Sequence, residues 1–170
     1  MPDPFNEPIG PPYQHYISSA MGWIELGMPK EAQAELKRIP KPLQDHPEVL
    51  MVRWELHAKL QQWQQALQVA RSLVQSTPSD PESWIKQSFC LHELKRTQEA
   101  WDCLHSVQQE FENSPTIAYN LACYACQLGE FESARAWLQH AKRVGDRRAI
   151  LEMAATDPDL SPMRDSLATL

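Results

Sequence analysis

The chain has 170 residues, 42% hydrophobic and 22% charged, with a formal net charge of −6 at neutral pH. That length suits one compact domain, or four to five short repeats with their ends. The acidic balance argues against a nucleic-acid partner, because phosphate binding needs a basic face, and no run approaches the roughly 18 apolar residues of a membrane span.

Residues 1–12 contain Pro2, Pro4, Pro8, Pro11 and Pro12. Proline fixes φ, lacks a donor and disfavours helix in the residue before it, so this stretch reads as an extended arm. Met1 to Gly10 has no basic residue and no apolar core, unlike a secretory signal. Helical periodicity begins at Tyr13 and predicts a helix to Leu26, a turn at Gly27 and a helix over Pro29 to Ile39, followed by a loop from Pro40 to His46. Pro47 to Leu60 reads as the next helix, with a turn at Gln61 and Gln62. Trp63 to Gln75 follows, its buried stripe made of Ala66, Leu67, Ala70, Leu73 and Val74. Ser76 to Asp80 breaks that helix, and Asp80 is a good cap for a helix starting at Pro81, where proline loses no intrahelical bond. The plan then recurs: Pro81 to Leu94, a turn at Lys95 and Arg96, Thr97 to Phe111, then Pro115 to Leu128 capped by Ser114, Gly129 turning, and Phe131 to Val144. Gly145 stops that helix and Arg147 to Ala155 predicts an end helix. Asp157-Pro158 and Ser161-Pro162 are expected to end regular structure. The basic cluster Lys142, Arg143, Arg147 and Arg148 reads as cations complementing a helix C-terminus.

Three residue types share one 34-residue step: Ala32, Ala66, Ala100 and Ala134; Leu26, Leu60, Leu94 and Leu128; and Pro47, Pro81 and Pro115. Such a period signals stacked units, each with an apolar stripe it cannot bury alone. The units run 13–46, 47–80, 81–114 and 115–146, after an arm at 1–12 and before a capping helix and tail at 147–170. The alanines are expected where the second helix of a pair closes on the first, and a larger side chain there would overpack.

Helix–turn–helix units of this length resemble the tetratricopeptide repeat family. The fourth unit carries the most motif, with Leu121-Ala122, Gly129, Phe131, Ala134, Leu138 and Ala141. The third offers Trp84, Ala100, Leu104 and Val107, the second Ala66, Ala70, Leu73 and Pro78, and the first Gly27, Ala32, Leu36 and Ile39. Arg53 and Gln87 depart from the family by standing where it usually has leucine, and Trp54 stands where a small residue is usual. The ending Asp157 to Arg164 looks like segments that close some such domains. The resemblance implies an all-α fold: a right-handed α-solenoid of about four TPR-like helix-turn-helix units plus a C-terminal capping helix.

It also implies a concave groove lined by the first helices, taking a peptide or helix from a protein partner. The family's groove-facing steps fall on Ile17, Met21 and Ile24; Met51, Glu55 and Ala58; Ile85, Phe89 and His92; and Tyr119, Cys123 and Cys126, with Lys86 and Asn120 at the rim. This apolar strip suits an amphipathic segment. The arm or a second copy in a homodimer is the alternative occupant, since apolar patches are usually covered. The lysine and asparagine pairs of the family's carboxylate clamp are missing. A small chaperone for a secreted or aggregation-prone client is a related reading.

Chemistry finds little footing in the sequence. Cys123 and Cys126 share a helix face near His92, but zinc needs a fourth ligand and Cys90 is a doubtful one. A redox Cys-x-x-Cys opens a helix near strands, whereas this pair lies in mid-helix. The four cysteines sit in helical patterns, which fits reduced thiols in the cytoplasm. No glycine-rich phosphate loop or catalytic constellation is present, so no enzyme activity, metal or cofactor is expected. The tryptophans fall on helical stripes and read as packing residues.

Overall fold

The computed structural model describes residues 7–164, and all regular structure among them is helical. In chain order the α-helices are α1 (Tyr13–Glu25), α2 (Pro29–Lys37), α3 (Pro47–Lys59), α4 (Trp63–Ser76), α5 (Pro81–Glu93), α6 (Thr97–His105), α7 (Pro115–Gln127), α8 (Phe131–Val144) and α9 (Arg147–Thr156). The chain divides into two compact units, one ending at Ser83 and the other beginning at Trp84, within the first turn of α5.

Local chemistry sets the helix starts. Prolines open α2, α3, α5 and α7, where the missing N–H costs no hydrogen bond. Side chains satisfy freed amides: Asp80 accepts from the Glu82 N–H at 3.1 Å, Ser114 from Ile117 at 3.3 Å and Asp146 from Ala149 at 2.9 Å. After the first helix of each pair the chain turns through one left-handed residue, at Gly27, Gln61, Lys95 and Gly129, with φ of 71°, 54°, 63° and 81°.

The repeated alanines all have no exposed surface, as close helix pairing requires. The leucines of the same step behave differently: Leu26 is 71% exposed and Leu60 42%, so their register marks the end of a helix and not the core. In the first unit Ile17, Ala20 and Ile24 of α1 meet Ala32 and Leu36 of α2 and Val49, Val52 and Leu56 of α3. In the second, Leu104, Ile117, Leu121 and Leu138 are fully or almost fully buried. Truncating any of these to alanine costs about 2–5 kcal/mol.

Several boundaries differ from the periodicity. α6 stops at His105, not Phe111, because the Ser106 hydroxyl bonds back to the Cys103 carbonyl at 2.8 Å and the Val107 amide shifts to Leu104, so turns follow. α2 stops at Lys37, where the next two amides reach back only three residues before Pro40. Lys41–Leu43 forms a 3-10 turn inside the expected loop. Asp157-Pro158 does not end regular structure: the Asp157 carboxylate caps a 3-10 turn over Pro158–Met163, with Pro162 inside it. Of the proline-rich arm, residues 1–6 lie outside the described chain. Its described part folds back on the start of α3, where Ile9 is buried, its N–H donates to Glu48 at 3.0 Å, and His46 bonds the Glu7 carbonyl at 3.1 Å.

Candidate functional site

In the first unit, the groove-facing steps split by burial. Ile17 and Ile24 are core residues, whereas Met21 on α1 and Met51, Glu55 and Ala58 on α3 are partly exposed. A helix face one side chain wide cannot be both core and contact surface, and the isoleucines point inward with Ala20.

In the second unit, α5 presents Phe89 at 37% exposure, with Ile85 and Lys86 partly buried on the same helix. The corresponding face of α7 is covered, and the cover is the chain's own 3-10 turn at Pro158–Met163. The Tyr119 hydroxyl donates to the Asp157 carboxylate at 2.8 Å, and the Cys123 thiol approaches the same oxygen at 3.7 Å. His92 Nε2 donates to Asp159 at 3.1 Å, with Nδ1 3.0 Å from the Thr97 hydroxyl. Gln127 donates to the Asp159 carbonyl at 2.7 Å, and the Met163 amide bonds the Cys126 sulfur. Leu160 and Met163 bury their side chains, at 1% and 4% exposure. Asn120, at the rim step, stays partly exposed.

Behind this surface the His92 ring packs on Tyr124, centroids 5.1 Å apart, and Tyr124 shares a hydrogen bond with Ser88 at 3.2 Å. Burial, then the neighbouring carboxylate of Asp157, pushes the Tyr119 hydroxyl and the Cys123 thiol well above their ordinary ionisation ranges. Burial first and Asp159 next raise Cys126. These thiols are held as neutral packing groups and hydrogen-bond donors, not as thiolates. Among the described residues no three histidine, cysteine or acidic side chains are grouped to hold a metal ion.

The two polar replacements of leucine each find a partner. Gln87 donates to the Cys103 sulfur at 3.5 Å, while Arg53 reaches the Gln44 side chain. Sequence reasoning did not anticipate Asp157, Asp159, Gln127 and Thr97 as groove residues. The signal available was the closing segment itself, whose two aspartates precede Leu160 and Met163.

No protein-family model and no curated protein sequence matches the chain. Solved structures do share its fold. A crystal structure of MamA is similar with a TM-score of 0.72 at 13% identity, over 92% of this chain and 86% of that one. A further MamA structure, from MSR-1, gives 0.66 at 18% identity over 81% and 78%. A thermophilic TPR protein of Thermus thermophilus gives 0.67 at 19% identity, over 93% of this chain and 100% of its own. At these identities the likeness is one of fold: an all-α fold of tetratricopeptide-type helical repeats.

Proposed function

We propose that this chain of tetratricopeptide-type fold is a non-catalytic protein-interaction module that holds peptide segments of a partner on the faces of its first helices. The observation that supports this most is the seating of Asp157 to Met163 on α7. There the repeat face holds a short non-repeat segment through two carboxylates, one backbone carbonyl and two apolar plugs. The same register on α1 and α3 offers Met21 and Met51, and on α5 it offers Phe89, all of them partly exposed. Methionine and phenylalanine at such positions give adaptable apolar anchors with little polar surface to desolvate.

The test is a pull-down with mass spectrometry, comparing wild type with a Met51→Glu/Phe89→Glu double variant of unchanged helical circular dichroism. Partners captured by wild type and lost by the variant bear the reading out, and the same partners held by both would overturn it. Tyr119 is unsuited to this test because its hydroxyl holds the closing segment. No helix among the described residues is long and apolar enough to cross a membrane.

A further inference from the structure

On a different surface of the first unit, three openings of about 330, 170 and 190 Å³ share lining residues and join into one furrow beside α2 and α3. Gln33, Leu56 and His57 line both the first and the second, and Pro29, Leu56 and Leu60 line both the second and the third. Lys30, Lys37, Lys41, Arg53 and Lys59 line the furrow, and no carboxylate is among its lining residues. Those five are drawn from only 16 lysines and arginines in a chain of net charge −6. Its floor is apolar, formed by Leu36, Ile39 and Leu56, with Leu60 at the other end.

Arg53 lines the largest of these openings, and its guanidinium extends to Gln44. Gln44 is itself fixed, its amide donating to the carbonyls of Leu36 at 3.0 Å and Ile39 at 2.6 Å at the end of α2. A guanidinium carries five donors in a planar fork, and Gln44 engages one of them.

We propose that this furrow binds an acidic peptide segment of another protein, its carboxylates meeting Lys37, Lys41 and Arg53 and its apolar side chains filling the floor over Leu36, Ile39 and Leu56. The proposal is independent of the first-helix face: Leu36, Lys37, Ile39, Lys41, Arg53 and Leu56, which it assigns to the peptide, are not among that face's groove-facing steps, and only Ile24, a core residue, belongs to both linings. Within a screening length of about 8–10 Å an acidic segment seated in the furrow would meet lining cations and no lining carboxylate. A nucleic acid fits less well, because its phosphates bring nothing apolar to the floor. Bases need aromatic stacking partners, and none of the lining residues is phenylalanine, tyrosine or tryptophan.

The experiment is fluorescence anisotropy on the full chain with a labelled peptide of alternating glutamate and leucine, its glutamine–leucine counterpart and a labelled single-stranded DNA. The glutamate peptide is expected to bind about tenfold more tightly than the glutamine peptide. A Lys37→Glu/Lys41→Glu variant, which changes only exposed side chains, is expected to lose about tenfold for the glutamate peptide. Arg53→Gln should weaken the same complex. Equal binding of the two peptides, or tighter binding of the DNA with the same lysine dependence, would overturn the proposal. So would a dimer in sedimentation that the lysine variant dissociates, since a second copy would then fill the furrow. Met51 and Phe89 are untouched, so either proposal can fail while the other stands.

Discussion

The Tyr119 hydroxyl on α7 donates at 2.8 Å to the carboxylate of Asp157, 38 positions further along the chain. One oxygen of that carboxylate accepts from Tyr119 and meets the Cys123 thiol, while the other caps the 3-10 turn through the Asp159 amide at 2.9 Å. A single side chain therefore both shapes the closing segment and fastens it to the repeat face.

That dual role predicts energetic coupling. Hydrogen bonds to a charged acceptor contribute about 1.5–3 kcal/mol. A double-mutant cycle of Tyr119→Phe and Asp157→Ala, followed by urea unfolding, is expected to give a coupling energy of about 1–3 kcal/mol. Strictly additive losses would show that the two groups merely lie close together.

The buried thiols and phenols predict a loss of stability in alkali. Cys103, half-buried, is raised from 9.0 to about 11 by desolvation that the bond from Gln87 only partly offsets. Cys123, Tyr119 and Tyr124 are raised as well. Above the ordinary thiol value the unfolded chain releases protons that the folded chain keeps, so unfolding becomes easier as pH rises. Stability should be level up to about pH 8 and then fall, by at most about 1.4 kcal/mol per pH unit for each such group. Cys103→Ala should flatten the fall between pH 9 and 11 by one group's share. An unchanged slope in that variant would assign the alkaline loss elsewhere.

The four left-handed turn residues form a natural experiment, since glycine fills two of the positions and a side chain fills two. A side chain in that region costs roughly 1 kcal/mol. Gln61→Gly and Lys95→Gly are thus expected to raise stability by about 0.5–1 kcal/mol. Gly27→Ala, whose new methyl would meet nothing within 4 Å, should lower it by a similar amount through φ alone. Thermal unfolding of the three variants checks the sign, and a destabilised Gln61→Gly would mean that the glutamine side chain holds the turn.

Helix pairing was legible because each pair is local: the alanines, prolines and turn residues that define it recur within one 34-residue step. Burial beyond that step was not. The family resemblance implied an open face at Tyr119 and Cys123, yet the groups that cover them lie 38 and 34 positions away, and His92 meets Asp159 across 67. The repeated leucines show that a shared step is not a shared burial: Leu26 and Leu60 keep the period and are exposed, while the alanines of the same period are buried. The furrow was visible only as an oddity, a charged residue at Arg53 in a leucine position, because its other cations come from α2, the loop after it and the far end of α3.

Two glycines separate space from conformation. A Cβ at Gly145 would lie 2.6 Å from the Pro115 Cβ and 3.1 Å from the Ala141 carbonyl oxygen, at the point where the end of α8 meets the start of α7. The neighbour is a rigid ring that opens a helix, so it cannot swing aside, and backbone must move instead. Gly145→Ala is expected to cost about 1–3 kcal/mol, as overpacking does, which for a chain of this size lowers Tm by about 2–4 °C per kcal/mol. Gly22, inside α1, has nothing within 4 Å of a built Cβ. There alanine brings helix propensity without collision, and Gly22→Ala should raise stability by about 0.5–1 kcal/mol. A Gly145→Ala variant as stable as wild type would show that α8 ends with slack against Pro115, and the close approach would then set no limit on the pairing of α7 with α8.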